Sequence, residues 1–211
     1  MEQIKQKRLV PVVVMDDAAL AVPLAEALLN AGLDVMEVTF RTAAAADAVK
    51  AISTRCPQML IGAGTLLTVE QVDRAVEAGA KFGVAPGLNE KVVARAHAHK
   101  IPMFPGVMTP SEIEKAIELG CRVLKFFPAE PAGGIKLLQA FWGPYSHTGI
   151  SFVPLGGVNA TNMADYLALP AVCAIGGSWM VEKKLIAAKD WTRIGTLTRE
   201  ALAIAAAVKK G

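Results

Sequence analysis

Short apolar runs rich in β-branched residues alternate along this chain with longer segments that have the periodicity of amphipathic helices. The runs are brief and mostly uncharged, which is typical of strands that are buried on both faces. They predict eight strands, at Leu9–Met15, Val35–Phe40, Met59–Gly64, Phe82–Ala85, Met103–Pro105, Val123–Phe127, Ser151–Pro154 and Ala171–Ile175.

The segments between the runs carry the residues that start and end helices. Thr68 and Thr109 stand where N-caps are expected, and Thr109-Pro110-Ser111-Glu112 places proline early in a helix. Gly32, Gly79 and Gly120 each follow a periodic segment, as a C-terminal glycine does. The expected helices include Ala18–Asn30, Ala43–Thr54, Val69–Ala78, Glu90–His99 and Ser111–Leu119, with a short N-terminal helix and an amphipathic helix at Trp191–Lys209.

Strands that alternate with helices favour a parallel sheet. Eight such units without a second compositional zone predict an α/β fold, a (β/α)8 TIM barrel in one domain over residues 1–211. The competing architecture is an open doubly wound sheet. Its dinucleotide-binding pattern, Gly-x-Gly-x-x-Gly after the first strand, does not occur in this chain.

The composition indicates a protein with a large core and no membrane partner. Hydrophobic residues make up 53% of the chain, and the mean hydropathy is +0.40. No apolar run reaches the roughly 18 residues of a membrane span. The charged N-terminus is not followed by the apolar core of a signal peptide. We therefore expect a cytoplasmic location.

Charge and cysteine content narrow the choice of partners. The net charge of +3 comes from interspersed basic and acidic residues, which argues against nucleic-acid binding. Three cysteines lie far apart in the sequence, which favours reduced thiols over a disulfide framework or a zinc site. No Asp, Glu or His cluster has metal-ligand spacing, so we expect no metal.

Lys125 stands inside the apolar run Val123–Phe127. Lysine is seldom buried without a partner, and burial lowers the pKa of its ammonium group. A lysine that is partly neutral near pH 7 is a nucleophile, and its usual chemistry is a Schiff base with a carbonyl substrate. The alternative interpretation is a lysine at a strand edge whose amine extends to water.

Glu37 is equally unusual within the run Val35–Phe40. Because side chains alternate along a strand, one register for each strand places Glu37, Thr65 and Lys125 together at the carboxyl ends, where barrels have their active sites. Opposite charges are less costly to bury when they face each other. The pair is either a structural ion pair or a nucleophilic amine with a carboxylate that transfers protons.

Arg41 and Thr65 are candidates for binding a substrate carboxylate. Arg41 shares the parity of Glu37, and its planar guanidinium matches a carboxylate. Thr65 ends Gly62-Ala63-Gly64-Thr65, where the glycines let a ligand approach the backbone. A solvated loop arginine and a threonine at a helix entry are the alternatives.

Two pairs of glycines occur late in the chain. Gly156-Gly157 follows the seventh predicted strand, and Gly176-Gly177-Ser178 follows the eighth. In barrels, the loops after these two strands commonly bind phosphate, because glycine exposes backbone N–H groups and a following helix adds a positive dipole end. The pattern therefore indicates a phosphate site.

Taken together, these motifs resemble those of the 2-keto-3-deoxy-6-phosphogluconate (KDPG) aldolase family, also called KHG/KDPG aldolases, over almost the whole chain. The segments that carry the resemblance are Glu37-Val38-Thr39-Phe40-Arg41-Thr42, Gly62-Ala63-Gly64-Thr65, Pro86-Gly87, Pro105-Gly106, Lys125-Phe126-Phe127-Pro128-Ala129-Glu130, Gly156-Gly157 and Gly176-Gly177-Ser178-Trp179.

The resemblance implies a homotrimeric class I aldolase of the Entner–Doudoroff route. Such an enzyme cleaves KDPG to pyruvate and glyceraldehyde 3-phosphate, and in many members also 4-hydroxy-2-oxoglutarate to pyruvate and glyoxylate. Lys125 would form the Schiff base, and Glu37 would act as general acid and base through a water. No metal or organic cofactor is implied, because the protonated imine is itself the electron sink.

The resemblance also implies roles in substrate binding. Arg41 and Thr65 would hold the pyruvyl carboxylate. The remaining residues divide between the walls of the pyruvate pocket, Pro86 and Phe127, and the phosphate site, Gly156, Gly157, Gly177 and Ser178.

Leu155 departs from the pattern of the family, which usually has threonine before the glycine pair, at a position associated with stereochemical control of the aldehyde. Leu155 shares the parity of Val153, so we expect it to face the substrate and affect aldehyde preference. Two other functions stay open: a non-covalent phosphosugar isomerase or epimerase barrel, and an inactive structural barrel.

Overall fold

The computed structural model describes residues 1–209. Nine strands occur in this range: β1 Leu9–Val13, β2 Val35–Thr39, β3 Leu60–Gly64, β4 Phe82–Val84, β5 Met103–Phe104, β6 Gly106–Val107, β7 Val123–Phe126, β8 Ser151–Pro154 and β9 Ile175–Gly177. The α-helices of the same range are α1 Glu2–Lys7, α2 Ala21–Asn30, α3 Ala45–Arg55, α4 Val69–Glu77, α5 Glu90–Ala98, α6 Pro110–Glu118, α7 Gly134–Tyr145, α8 Met163–Ala168, α9 Lys183–Ala187 and α10 Trp191–Ala207.

All strand pairs in the two sheets are parallel, as the alternation of strands and helices predicts. One sheet has the order β5-β4-β3-β2-β1-β9, and the other has the order β6-β7-β8. Glu37 of β2 lies in register with Val12 and Gly62, and Lys125 of β7 lies in register with Gly106 and Val153. The fold is therefore a curved parallel α/β arrangement with its helices packed outside.

The predicted strand Met103–Pro105 is wrong in detail, because the structure has two shorter strands there. β5 pairs with β4, and β6 pairs with β7. Pro105 separates them, since proline has no N–H to donate to a strand ladder. Its carbonyl still accepts a hydrogen bond from Lys125 N at 2.9 Å.

The last strand begins later than predicted. The run Ala171–Ile175 was expected to form it, whereas β9 covers Ile175–Gly177. β9 is defined by its pairing with β1, and that ladder begins only where Leu9 meets Ile175. The preceding residues contact β8 instead, through one bridge between Phe152 and Val172.

Side-chain alternation divides the core into two clusters. The outward residues of the strands, such as Met36 and Leu124, pack against the helices. The inward residues, such as Val35 and Val123, form a second cluster, which Ile4 of α1 joins. The inner wall is thus apolar where the strands begin, and this places any polar residue further along a strand in a water-poor environment.

The helix signals in the sequence match the structure closely. Thr68 Oγ1 accepts from Gln71 N at the start of α4. Gly32, Gly79 and Gly120 have φ between +80° and +101°, the left-handed conformation in which glycine is favoured after a helix. No helix among residues 1–209 is long and apolar enough to cross a membrane.

The final helix ends earlier than its pattern predicts. The periodicity extends to Lys209, but α10 ends at Ala207. Arg8 Nη1 donates to the carbonyls of Ala205 and Val208 at 3.0 and 2.7 Å. These contacts satisfy carbonyls at the helix end, which otherwise have no intrahelical partner. Residues 210 and 211, the end of the expected domain, lie outside the described residues.

We predict that Thr109→Ala destabilises the protein by about 1 kcal/mol, because it removes the N-cap of α6. Thr109 and Glu112 form a reciprocal capping box there. Urea denaturation measures the change in the free energy of unfolding. Ser111→Ala is the matched control, since Ser111 is exposed in the first turn of the same helix. A loss of the same size in both variants would contradict the role of the cap.

Candidate active site

Lys125 and Glu37 lie on the inner face of the strands, in line with Val123 and Val35 respectively. Only 6% of Lys125 and 2% of Glu37 is exposed. Both side chains line the same cavity at the carboxyl ends of the strands. The structure therefore brings together the two charged residues that the sequence places in separate apolar strands.

Gly64 makes room for the Glu37 carboxylate. A Cβ atom added at residue 64 would lie 1.7 Å from Glu37 Oε1, far inside any permitted contact. The glycine is thus required by a side chain of the neighbouring strand and not by the backbone conformation of β3. Glu37 Oε1 itself has no hydrogen-bond partner among the described residues. A buried carboxylate oxygen without a partner is poised to contact a substrate or a water.

Burial moves the pKa values of this pair towards each other. Desolvation raises the pKa of Glu37, opposed by the charges of Lys125 and Arg41. Desolvation also lowers the pKa of Lys125, opposed by Glu37 and reinforced by the Arg41 cation. Burial therefore favours the neutral amine and the protonated carboxylic acid relative to solution.

Phe127 lies beside the amine of Lys125. The Lys125 Nζ atom is 4.8 Å from the centroid of the Phe127 ring. The face of an aromatic ring attracts a cation, so this contact holds the lysine side chain towards the cavity. The same ring forms part of the cavity wall, as the sequence predicts for Phe127.

A narrow hollow extends from the cavity into the inner core. Its volume is about 10 Å³, at the lower limit for a single water molecule. Glu37 and Lys125 are the charged residues on its wall, and most of the rest is apolar. Phe82 and Phe104 stack there with centroids 5.4 Å apart. This packing excludes bulk water from the side of Lys125 and Glu37 that faces the inner core.

The main cavity has a volume of about 290 Å³ and opens at the carboxyl ends of the strands. Ten of the eleven site residues predicted from the sequence line it. The full lining is Val12, Glu37, Thr39, Arg41, Thr65, Pro86, Lys125, Phe127, Leu155, Gly156, Gly176, Gly177 and Ser178.

Arg41 is held by a residue that the sequence analysis did not select. Arg41 Nε donates to Thr39 Oγ1 at 3.3 Å, and that hydroxyl donates to the Val13 carbonyl at 3.0 Å. Thr39 shares the parity of Glu37 and is a polar residue in an apolar strand, which is the signal that could have identified it. Arg41 and Lys125 are the two cationic residues among those that line the cavity.

Thr65 has a backbone conformation that is unusual for its residue type. Its φ of +56° lies in the left-handed region, where a β-branched residue is disfavoured. Such strain costs about 1–3 kcal/mol and persists where surrounding structure enforces it, often at functional sites. Here the chain turns after β3, and Thr65 lies on the wall of the cavity that Arg41 also lines.

The two glycine loops meet at the rim of the cavity. Gly156, Gly177 and Ser178 line it, whereas Gly157 does not. Glycines have no side chain to cover the backbone, so N–H groups at this rim are open to a ligand. Backbone N–H groups that converge from two chain segments suit an anion.

Leu155 faces the cavity, as its parity predicts, and is 6% exposed. Its side chain lies against Gly176, where an added Cβ atom would come within 2.6 Å of Leu155 Cγ. Gly176 therefore provides space for the leucine. The Leu155 side chain covers the wall between the reactive pair and the glycine loops and offers no hydrogen-bonding group there.

Comparison with known proteins agrees with this geometry. A family model for KDPG and KHG aldolase matches residues 1–197. The 2-dehydro-3-deoxy-phosphogluconate aldolase of Treponema pallidum (strain Nichols) is 47% identical over 203 residues, covering 96% of each chain.

Two solved structures have the same fold and similar sequences. The KDPG aldolase of Legionella pneumophila, with pyruvate captured at low pH as a covalent carbinolamine, is 37% identical with a TM-score of 0.90, covering 95% of this chain and 98% of that one. The 2-keto-3-deoxy-6-phosphogluconate aldolase of Zymomonas mobilis ZM4 with 3-phosphoglycerate is 36% identical with a TM-score of 0.90, covering 100% and 96%. From its motifs, its site and these matches, the chain belongs to the KDPG and KHG aldolase family.

Proposed function

We propose that this protein is a class I aldolase that cleaves KDPG to pyruvate and glyceraldehyde 3-phosphate. We propose that it also cleaves 4-hydroxy-2-oxoglutarate to pyruvate and glyoxylate. The observation that carries the proposal is a buried lysine amine that shares a cavity with an unpartnered buried carboxylate, Lys125 with Glu37. The carbinolamine of the Legionella pneumophila relative supports covalent catalysis through an amine.

In the proposed reaction, the neutral amine of Lys125 attacks the substrate ketone at C2 and forms a carbinolamine. Loss of water gives a protonated imine, which draws electrons from the neighbouring carbon–carbon bond. Glu37, working through a water, takes the proton from the C4 hydroxyl as the C3–C4 bond breaks and the aldehyde leaves. Glu37 then returns a proton to C3 of the enamine, and water releases pyruvate from Lys125.

Binding of the substrate uses both ends of the cavity. Arg41 and Thr65 hold the carboxylate of the pyruvyl portion, with Pro86 and Phe127 as walls around it. Gly156, Gly177 and Ser178 line the end of the cavity that holds the distal phosphate, and Gly157 contributes from the loop rather than from the cavity wall. The complex of the Zymomonas mobilis relative with 3-phosphoglycerate supports recognition of a phosphorylated three-carbon unit.

We propose that the two sheets form one closed (β/α)8 barrel in a single domain over residues 1–211. Two contacts support closure. Lys125 N of β7 donates to the carbonyl of Pro105, which lies between β5 and β6, and the bridge between Phe152 and Val172 links β8 to the segment that enters β9. Closure explains why residues from β2 and β7, which belong to different sheets, line one cavity.

We also propose a homotrimer that works in the cytoplasm in Entner–Doudoroff sugar breakdown. The resemblance of the motifs to the family supports the assembly and the pathway, and the wide spacing of the cysteines supports a reducing compartment. A non-covalent isomerase would share the glycine loops, but it would give the buried amine of Lys125 no role.

Lys125→Ala should abolish cleavage, because no other amine lies in the cavity wall of the described chain. Borohydride reduction with pyruvate, followed by peptide mass spectrometry, should add pyruvate-derived mass to the peptide that contains Lys125. Lys183→Ala is the control, since this exposed lysine pairs with Asp16 and does not line the cavity. Substantial turnover by Lys125→Ala would end the proposal.

Glu37→Gln should slow turnover by about 10²–10⁴-fold, because it removes the proton-transfer group. Removing the carboxylate also removes the attraction that raises the pKa of Lys125, so that pKa should fall further. The pH dependence of pyruvate trapping measures this shift. Arg41→Met removes a cation that lowers the pKa of Lys125, so in this variant the pKa of Lys125 should rise. Shifts of the same sign in both variants would contradict the electrostatic assignment.

Leu155→Thr should change the ratio of aldol stereoisomers, because it replaces an apolar side chain on the cavity wall with a hydroxyl that can bond the aldehyde portion. Chiral chromatography of products formed from pyruvate and glyceraldehyde 3-phosphate gives the ratio. The rate of pyruvate methyl proton exchange should change less, since it does not involve the aldehyde. An unaltered ratio would show that Leu155 does not contact the aldehyde.

A further inference from the structure

Tyr166 and Glu130 form a hydrogen bond next to the Gly156–Gly157 loop. The Tyr166 hydroxyl, on α8, donates to Glu130 Oε1. Tyr166 is fully buried, so its hydroxyl needs a partner, and a carboxylate is a strong one. Neither residue lines the cavity, and neither has a role in the chemistry described above.

Glu130 contacts the loop through both its backbone and its side chain. Glu130 N donates to the Gly156 carbonyl at 3.0 Å. A Cβ atom added at Gly157 would lie 2.6 Å from both Cβ and Cγ of Glu130, so the glutamate stem fills the space beside that glycine. Both glycines have positive φ, +88° and +94°. Contacts with Glu130 therefore constrain the conformation of the Gly156–Gly157 loop.

Two asparagines hold the same loop from the α8 side. The Nδ2 atoms of Asn159 and Asn162 each donate to the Gly157 carbonyl at 3.1 Å. The Asn162 carbonyl in turn accepts from Tyr166 N at 3.4 Å. The Tyr166 hydroxyl thus completes a ring of contacts that runs from Glu130 through the loop and the start of α8 back to Glu130.

We propose that Glu130 and Tyr166 are positioning residues that fix the Gly156–Gly157 loop and thereby set the affinity of the site for the substrate phosphate. The inference rests on the proposed function, because it assigns the phosphate to this loop. An anion site made of backbone N–H groups has no long side chains that could adjust, so its affinity depends on how firmly the loop is held.

The hydrogen bond persists over the working pH range. Burial raises the pKa of Tyr166, and the hydrogen bond to Glu130 raises it further, so the hydroxyl stays protonated and remains a donor. Phenylalanine would fill the same apolar volume, and only the hydroxyl makes the link to Glu130. Tyr166→Phe consequently removes the link while leaving the packing of α8 nearly unchanged.

The test compares a phosphorylated substrate with one that has no phosphate. In Tyr166→Phe, KM for KDPG should rise about tenfold, the size expected for losing a hydrogen bond to a charged group. The kcat/KM for 4-hydroxy-2-oxoglutarate should stay within about twofold of the unmodified enzyme. A role limited to stability would change both substrates alike or neither.

The chain contains a matched control in its other tyrosine. Tyr145 OH donates to Glu114 Oε1 at 3.0 Å, the same kind of pair at a place that does not line the cavity. Tyr145→Phe should leave KM for KDPG unchanged. A rise in that KM equal to the rise in Tyr166→Phe would overturn the proposal.

Substitutions of Glu130 test the same hydrogen bond. Glu130 is exposed, so replacing it does not create a cavity in the core. Glu130→Ala should raise KM for KDPG as Tyr166→Phe does. If Tyr166→Phe does not fold, Glu130→Ala provides the test in its place. Glu130→Gln keeps an acceptor oxygen and should restore most of the affinity. Equal KM values for KDPG in Glu130→Ala, Glu130→Gln and the unmodified enzyme would overturn the proposal.

Two further measurements separate this inference from the proposed function. Pyruvate methyl proton exchange reports Lys125 chemistry alone, so its absence in the unmodified protein would count against the aldolase and not against the loop. Titration with inorganic phosphate, followed by the amide resonances of Gly156 and Gly157, reports the loop alone. A weaker phosphate affinity in Glu130→Ala, with Tyr145→Phe unchanged, is expected, and equal affinities would refute the proposal.

Discussion

The burial of two opposite charges on one inner face is the constraint on which the site depends. Lys125 and Glu37 are each nearly inaccessible to water, and desolvation shifts both pKa values towards the neutral forms. An apolar inner wall makes this possible, since it keeps bulk solvent from the amine and the carboxylate. Gly64 contributes by vacating the volume that the carboxylate occupies. The packing of the strands thus produces the water-poor environment of Lys125 and Glu37.

The two halves of the cavity use different means of recognition. Around Lys125 the contacts come from side chains on strands, which the ladder holds in place. At the rim, Gly177 belongs to β9 and pairs with β1, whereas the Gly156–Gly157 loop lies outside the strands and is held by Glu130, Asn159 and Asn162. The part of the cavity around Lys125 is therefore held by the sheet, and the Gly156–Gly157 loop is held by side chains that surround it.

Much of the fold followed from local patterns, and the departures have physical causes. Alternation of apolar runs and amphipathic segments predicted the parallel strands, and threonine and glycine marked helix ends. The predicted fifth strand is divided into β5 and β6 at Pro105, because proline has no backbone N–H to donate. β9 starts later than predicted, because its pairing with β1 begins only at Ile175. Thr39 was not selected, because its role in holding Arg41 arises from a contact with the Val13 carbonyl on another strand.

The sequence by itself determined which residue types the site contains: a lysine and a glutamate in apolar strands, and two pairs of glycines late in the chain. Two-residue alternation placed the lysine and the glutamate on one face of their strands, because side-chain direction in a strand is a local property. Only the tertiary structure decided which residues meet. It brought β2 and β7 from different sheets to one cavity, left Gly157 off its wall, and joined Tyr166 to Glu130 across 36 residues of chain. Such contacts depend on how distant segments pack, and no local pattern encodes them.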